Sequence, residues 1–188
     1  MINAKLILLY LLQSTDVSSL GIDPDTINQE EAYCMAQNIY YEAKSEDIRG
    51  QYAVAHATLN RVNDPRFPKT VCKVVKQVGI LPSGKKVCAF SWFCDGATDD
   101  VPVRKQNGES NALVEEQFET ASRVAIMTLA GKSEDITNGA THFHNPLISR
   151  PDWARRFIRT LRIGHHDFYK ERPLMVYNYR KPDATLAN

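Results

Sequence analysis

Two helical patterns stand back to back in this chain, with only a short polar break between them. In residues 29–43, Ala32, Met35, Ala36, Ile39 and Tyr40 follow the i, i+3, i+4, i+7 spacing of one helix face. Asn28 precedes the run as an N-cap, and Glu31 three residues on gives a capping-box pattern. Residues 48–62 put Ala55, Leu59 and Val62 on a second stripe, which Pro65 and Pro68 end. Ser45, Asp47 and Gly50 predict that the first helix breaks before the second begins.

A third long helix is predicted from Asn111 to about Ala130, with Phe118, Ala121, Ala125 and Leu129 on its buried face and Gly131 at its end. Residues 69–78 read as a short helix stopped by Gly79, Pro82 and Gly84. Residues 88–93 (Cys-Ala-Phe-Ser-Trp-Phe) read as a strand or extended loop, and 95–108 as polar turns. Thr141–Phe143, Ile158–Ile163 and His166–Tyr169 read as short strands. The expected class is α+β, mainly α. Helices make the core and the late segment lines a cleft.

Length and composition fit one ordinary domain: 188 residues, 43% hydrophobic and 24% charged. We expect residues 1–28 to form an N-terminal helix and linker, 29–175 the functional domain, and 176–188 a tail. The apolar run Leu6–Leu12 is too short to span a membrane, which needs about 20 residues. Just one Lys precedes it and no small-x-small cleavage site follows. Residues 3–14 therefore read as a structural helix, with an export signal as the alternative. The net charge of +1 predicts no strong nucleic-acid field. It hides an asymmetry: Arg150 to Lys181 holds nine Lys/Arg against three Asp/Glu. Such a face suits an anionic polymer, or is simply solvated. Cys34 reads as a buried thiol, while Cys72, Cys88 and Cys94 could include one disulfide in an oxidising compartment. No Cys-x-x-Cys occurs, so no metal and no cofactor are expected.

Glu42 ends the first helical pattern, among Tyr40, Tyr41 and Ala43. Apolar surroundings penalise a carboxylate and raise its pKa, which suits a general acid near neutral pH. With no metal cage, phosphate loop or obvious nucleophile, that acid points to glycosidic bond cleavage. A solvated helix-end glutamate is the plain alternative. Glu46 lies one turn further on. If the helix continued, the two carboxylates would share a face, as in a retaining glycosidase pair. If it breaks, Glu46 is an exposed acidic turn. His142-x-His144 on a strand puts two rings on one face, a recurrent metal geometry, but no motif places a third ligand. Phe90, Trp92, Phe93, Phe143, Trp153, Phe157, Phe168 and Tyr169 gather in the same segments and suit a sugar cleft or a core.

Several ordered blocks together resemble the SleB-type cell-wall hydrolases, which include spore-cortex-lytic enzymes and phage or prophage lysins. The blocks are Glu42-Ala43-x-x-Glu46, Gly50-Gln51-x-Ala53-Val54-Ala55 and Leu59-Asn60-Arg61-Val62, then Pro65 to Val75 and Phe90-Ser91-Trp92 with Asp95-Gly96. Gly139 to His144, Pro151-x-Trp153 and Gly164-His165-His166-x-Phe168-Tyr169 follow. Lys44-Ser45 stands where such proteins commonly have Arg-Gly.

The resemblance implies a lysozyme-like, lytic-transglycosylase-like domain that cleaves peptidoglycan between N-acetylmuramic acid and N-acetylglucosamine. It implies Glu42 as the catalytic acid/base and Glu46 as the second acidic residue of the motif. Ser91, Trp92, His142, His144, Trp153 and His166 are the expected cleft walls. Competing readings are a hydrolytic muramidase, a catalytically silent glycan-binding module, and a metal-dependent hydrolase using His142, His144 and a later His. The expected partner is the glycan strand, with no nucleic acid, no stable membrane insertion and a monomeric state. Action is expected at the wall, outside the cytoplasm. The compact size, with no separate wall-binding module, looks more like a phage lysin released through a holin, or a remodelling enzyme, than a germination enzyme.

Overall fold

The computed structural model describes residues 3–172. The expected tail at 176–188, with Arg180 and Lys181, lies outside the described residues. Among the described residues six α-helices come in chain order: α1 (Ala4–Leu12), α2 (Thr15–Ser19), α3 (Gln29–Ala43), α4 (Ile48–Asn63), α5 (Val71–Val75) and α6 (Ala112–Leu129). Two small antiparallel sheets complete the described fold, so the class is α+β, mainly α. One is the hairpin of β1 (Val78–Ile80) and β2 (Lys86–Cys88). The other orders β3 (His142–His144), β5 (His166–Lys170) and β4 (Ile158–Ile163), with β5 in the middle.

Local chemistry sets the helix ends. The Asn28 side chain accepts the N–H groups of Glu30 and Glu31, and Asp47 accepts that of Gly50. The capping box at α3 does not close. Glu31 instead accepts the Val71 N–H at the start of α5, tying two helices together. α6 ends in a Schellman motif: Gly131 has φ 67°, Lys132 N–H bonds Met127 O and Gly131 N–H bonds Thr128 O.

α3 is the central helix and packs on α1, α4, α5 and α6. Its stripe of Ala32, Met35, Ala36, Ile39 and Tyr40 is buried as the periodicity predicts. Leu8, Leu11 and Leu12 of α1 belong to the same core, together with Val74, Val75, Phe118 and Ile126. A second cluster joins Ala43, Ala53, Val54 and Ala57 to Ala140, Ile163 and Phe168. Alanines on α4 let the three-stranded sheet approach closely. α4 is therefore covered on more than one face. Ala55 is buried, but Leu59 and Val62 of the predicted stripe are only half-buried.

Four expectations need correction. Residues 69–78 are not one helix: α5 stops at Val75 and Val78 opens β1. Ser91–Cys94 is a 3-10 turn rather than a strand, and its Trp92 is buried. Asn111 precedes α6 without a side-chain capping bond. Cys34 is not a free thiol. It is buried where α3 meets α5 and is bonded to Cys72, with Cα atoms 5.2 Å apart. Cys88 is bonded to Cys94, so β2 is tied to the 3-10 turn that carries Ser91 and Trp92.

Candidate active site

A cleft of about 520 Å³ runs between the helical core and the three-stranded sheet. One side is the end of α3 and the turn after it, with Tyr41, Glu42, Ser45 and Glu46. Facing them are Phe143 and His144 of β3, Trp153, and His165 and His166 at the tip of the β4–β5 hairpin. Arg61 of α4 and Phe90, Ser91 and Trp92 also line it.

α3 ends at Ala43 with Lys44 as its C-cap, so Glu42 occupies its last turn. The Glu42 side chain is half-buried, and no hydrogen bond to it is present among the described residues. Burial pushes its pKa up from 4.5 to about 7, against the opposing pull of the Arg61 guanidinium. A carboxylic acid is thus kept partly protonated near neutrality, with its proton unclaimed among the described residues.

Asn60 and Arg61 show what the end of α4 does for the site. Asn60 Nδ2 donates to Asp135 at 2.9 Å and to Ala140 O at 3.0 Å, gripping the loop that leads into β3. Arg61 Nε donates to Thr141 O at 2.6 Å. The guanidinium lies 4.9 Å from the Phe90 ring centre and 5.6 Å from that of Phe67. Burial lowers the Arg61 pKa to about 10, with Glu42 pulling the other way, so it remains a cation at neutral pH. Reading the sequence assigned Arg61 no role. Its place in the motif was the only signal, because opposition to Glu42 depends on how α3 packs on α4.

Aromatic rings build the walls. Tyr41 stacks on Trp92 at 4.6 Å. The indole N–H of Trp92 donates to Asn38 Oδ1, and Asn38 Nδ2 donates to Thr58 Oγ1. This buried chain locks the 3-10 turn to α3 and α4. His144 stacks on Tyr169 at 5.4 Å, and Trp153 lies 5.6 Å from His144. The Ser149 carbonyl can only accept, so His144 Nδ1–H donates to it and Nε2 accepts from the Tyr169 hydroxyl.

Seven of the eight expected site residues meet at this cleft: Glu42, Glu46, Ser91, Trp92, His144, Trp153 and His166. His142 does not. It lies in a neighbouring cavity with Arg61, Phe67 and Trp153, flanked by the rings of Phe67, Trp153 and Phe157. Burial, with Arg61 and Arg66 nearby, lowers its pKa to about 4, so it is a neutral packing ring at the cleft's edge. The His-x-His pair shares Trp153 rather than a metal-like arrangement. No group of three or more His, Cys, Asp or Glu suited to a metal ion occurs among the described residues. Glu42 and Glu46 do not share a helix face, because α3 stops between them. Nor is Glu46 an exposed turn residue: its side chain is 4% exposed.

The comparisons with known proteins agree with this architecture. Spore cortex-lytic enzymes of Halalkalibacterium halodurans and Oceanobacillus iheyensis are 31% and 42% identical over 145 and 147 residues. These alignments cover 77% and 78% of this chain but only 36% and 44% of those proteins, so the chain spans less than half of each. The crystal structure of the catalytic domain of the Bacillus cereus SleB protein is 26% identical and superposes with a TM-score of 0.51. It covers 76% of this chain and 91% of that domain. The catalytic domain of a germination-specific lytic transglycosylase SleB from Bacillus anthracis gives 27%, 0.51, 77% and 97% in the same terms. The mainly α, lysozyme-like fold is thus shared with these domains. The sequence profile described as Cell Wall Hydrolase matches residues 45–169, from just past Glu42 to the end of the sheet that faces it. With two thirds of its length inside that profile, including Glu46, Arg61 and the sheet side of the cleft, the chain belongs to the cell wall hydrolase family.

Proposed function

We propose that the protein cleaves the glycan strand of peptidoglycan between N-acetylmuramic acid and N-acetylglucosamine, as a lytic transglycosylase with Glu42 as general acid and then base. The observation that carries this reading is the Glu42 carboxyl: unpaired among the described residues, with a pKa raised to about 7, on an aromatic-lined cleft. The protonated acid donates to the bridging oxygen while the C1–O bond breaks and an oxocarbenium-like centre develops. Glu42 is then an anion, and the nearby Arg61 cation stabilises it at that moment. The carboxylate next takes the proton of the muramic acid 6-hydroxyl, whose oxygen attacks C1 and closes the 1,6-anhydro ring. The proton given is recovered and no water is consumed.

Tyr41 and Trp153 offer ring faces to sugars, with the buried Trp92 stacked behind Tyr41, and Ser91 and His166 offer polar atoms, while His144 holds the wall through Ser149 and Tyr169. Two disulfides fit work outside the cytoplasm, at the wall. Among the described residues no helix is long and apolar enough to cross a membrane. The relatives named above are spore cortex-lytic enzymes, so they lend no support to phage-encoded, holin-released delivery.

The test is digestion of purified peptidoglycan by the wild type and Glu42→Gln, with products resolved by mass spectrometry. We expect anhydro-muropeptides from the wild type alone, lighter by one water and two hydrogens than borohydride-reduced hydrolysis products. Reducing-end muramic acid would make the enzyme a muramidase. No release by the wild type would favour a silent glycan-binding module. An active Glu42→Gln would remove Glu42 from the reaction.

A further inference from the structure

Glu46 is the second carboxylate of the cleft, yet its oxygens are engaged by protein. Oε1 lies 2.9 Å from His165 Nδ1 and 3.6 Å from His166 Nδ1. Oε2 accepts the backbone N–H of His165 at 3.2 Å. Its main chain belongs to the turn that follows Glu42: Glu46 N–H donates to Ala43 O at 3.0 Å, and Glu46 O accepts from Gln51 Nε2 at 3.5 Å. Two glycines on different elements leave the space that it fills. A Cβ at Gly50 would lie 2.8 Å from Glu46 Cβ, and one at Gly164 would lie 1.7 Å from Oε2. Gly164 also sits at the hairpin tip with φ 53°, where the two-residue turn between Ile163 and His166 favours glycine.

A carboxylate that attacks a sugar carbon, or takes a proton from water, needs an oxygen turned to the reacting centre. We propose that Glu46 is a positioning residue and not a reacting carboxylate: it latches the β4–β5 hairpin tip onto the turn after Glu42. The hairpin brings His166 into the cleft wall, edge-on to Phe143 at 5.3 Å. The latch therefore sets the width of the cleft between that wall and the acid. The role in turnover rests on the reading of Glu42 as the acid; the latch itself does not.

Glu46→Gln separates the two possibilities. Its amide oxygen still accepts the His165 N–H and its NH₂ can donate to a neutral His165 ring, but it cannot act as base or nucleophile. We expect Glu46→Gln to keep kcat within about threefold of wild type. Glu46→Ala and Gly164→Ala should each lower kcat by about tenfold to a hundredfold with little change in KM, the pattern of misplaced reacting groups. Because both break one latch, the double variant should be no worse than the poorer single. Gly50→Ala, which crowds the same side chain without a positive φ, should act in the same direction. Hydrogen exchange at the His165 amide needs no substrate: it should be slow in wild type and Glu46→Gln, and fast in Glu46→Ala and Gly164→Ala. A Glu46→Gln as inactive as Glu42→Gln would overturn the proposal, as would a fully active Glu46→Ala. If the wild type releases no product, the reading of Glu42 fails, and exchange at His165 still decides the latch.

Discussion

At Glu42, what the proposed chemistry needs works against the stability of the fold. Burial raises its folded-state pKa from 4.5 to about 7. A carboxyl with a raised pKa favours folding in its protonated form. That contribution is fully present below the unfolded value near 4.5 and is lost as pH rises through 7. Above pH 7 the folded state must hold a poorly hydrated anion, at a cost of up to about 3 kcal/mol. Glu42→Gln cannot ionise, so its stability relative to wild type should rise between pH 5 and pH 8, as read by urea unfolding at both values. An advantage that does not grow with pH would contradict the raised pKa. With Glu42 as the proposed general acid, wild-type kcat/KM should fall above about pH 7 for the same reason, as the proton it would donate is lost. The sequence placed this carboxyl at the end of an apolar helix, but it did not show what surrounds it. Tyr40, its neighbour in sequence, turns into the core against Phe118. The cation that opposes the shift comes from the far end of the next helix.

The disulfides act between elements and differ in what they hold. Cys34–Cys72 closes a loop of sequence separation 38 and ties α3 to α5 in the core. Cys88–Cys94 closes a separation of 6 and ties β2 to the turn carrying Ser91 and Trp92. Loop-closure entropy gives about 4 kcal/mol for the first and about 2 kcal/mol for the second. The Cys34→Ala/Cys72→Ala variant should therefore lose about twice the unfolding free energy of Cys88→Ala/Cys94→Ala in urea titrations. The second should lose more activity relative to its stability, because it frees a wall of the cleft. Equal stability losses, or full activity in the second, would argue against this division. The long helices α3, α4 and α6 were readable because burying one face imposes a 3.6-residue period. The β1–β2 hairpin was not: Val78, Ile80 and Val87 are all exposed, so no alternation marks its strands. The pairing of Cys34 was hidden as well, since sequence spacing does not report which helices meet.

At the scale of the described fold several of the ordered motifs converge on one cleft, where each fixes a wall. Glu42 ends α3, Asn60 and Arg61 hold the approach to β3, and Gly164 lets the hairpin tip close over Glu46. The charge asymmetry does not carry over as simply. Arg159 and Arg162, counted with the basic C-terminal stretch, are paired with Asp167 at 3.5 and 2.6 Å. Arg150 and Arg155 are exposed and make no ion pair among the described residues. They flank Pro151 and Trp153 at the cleft, a rim where an anionic wall polymer would meet positive charge. Exposed charges of this kind act over a Debye length of about 10 Å at 0.1 M salt and about 3 Å at 1 M. Adsorption of the Glu42→Gln protein to insoluble peptidoglycan should therefore weaken as NaCl is raised, while adsorption to uncharged chitin should change little. Arg150→Glu/Arg155→Glu should flatten the salt dependence on peptidoglycan without altering the chitin result. Salt-independent wall binding would mean that the rings and hydrogen bonds of the cleft hold the strand by themselves, and that the basic rim is only a solvated surface.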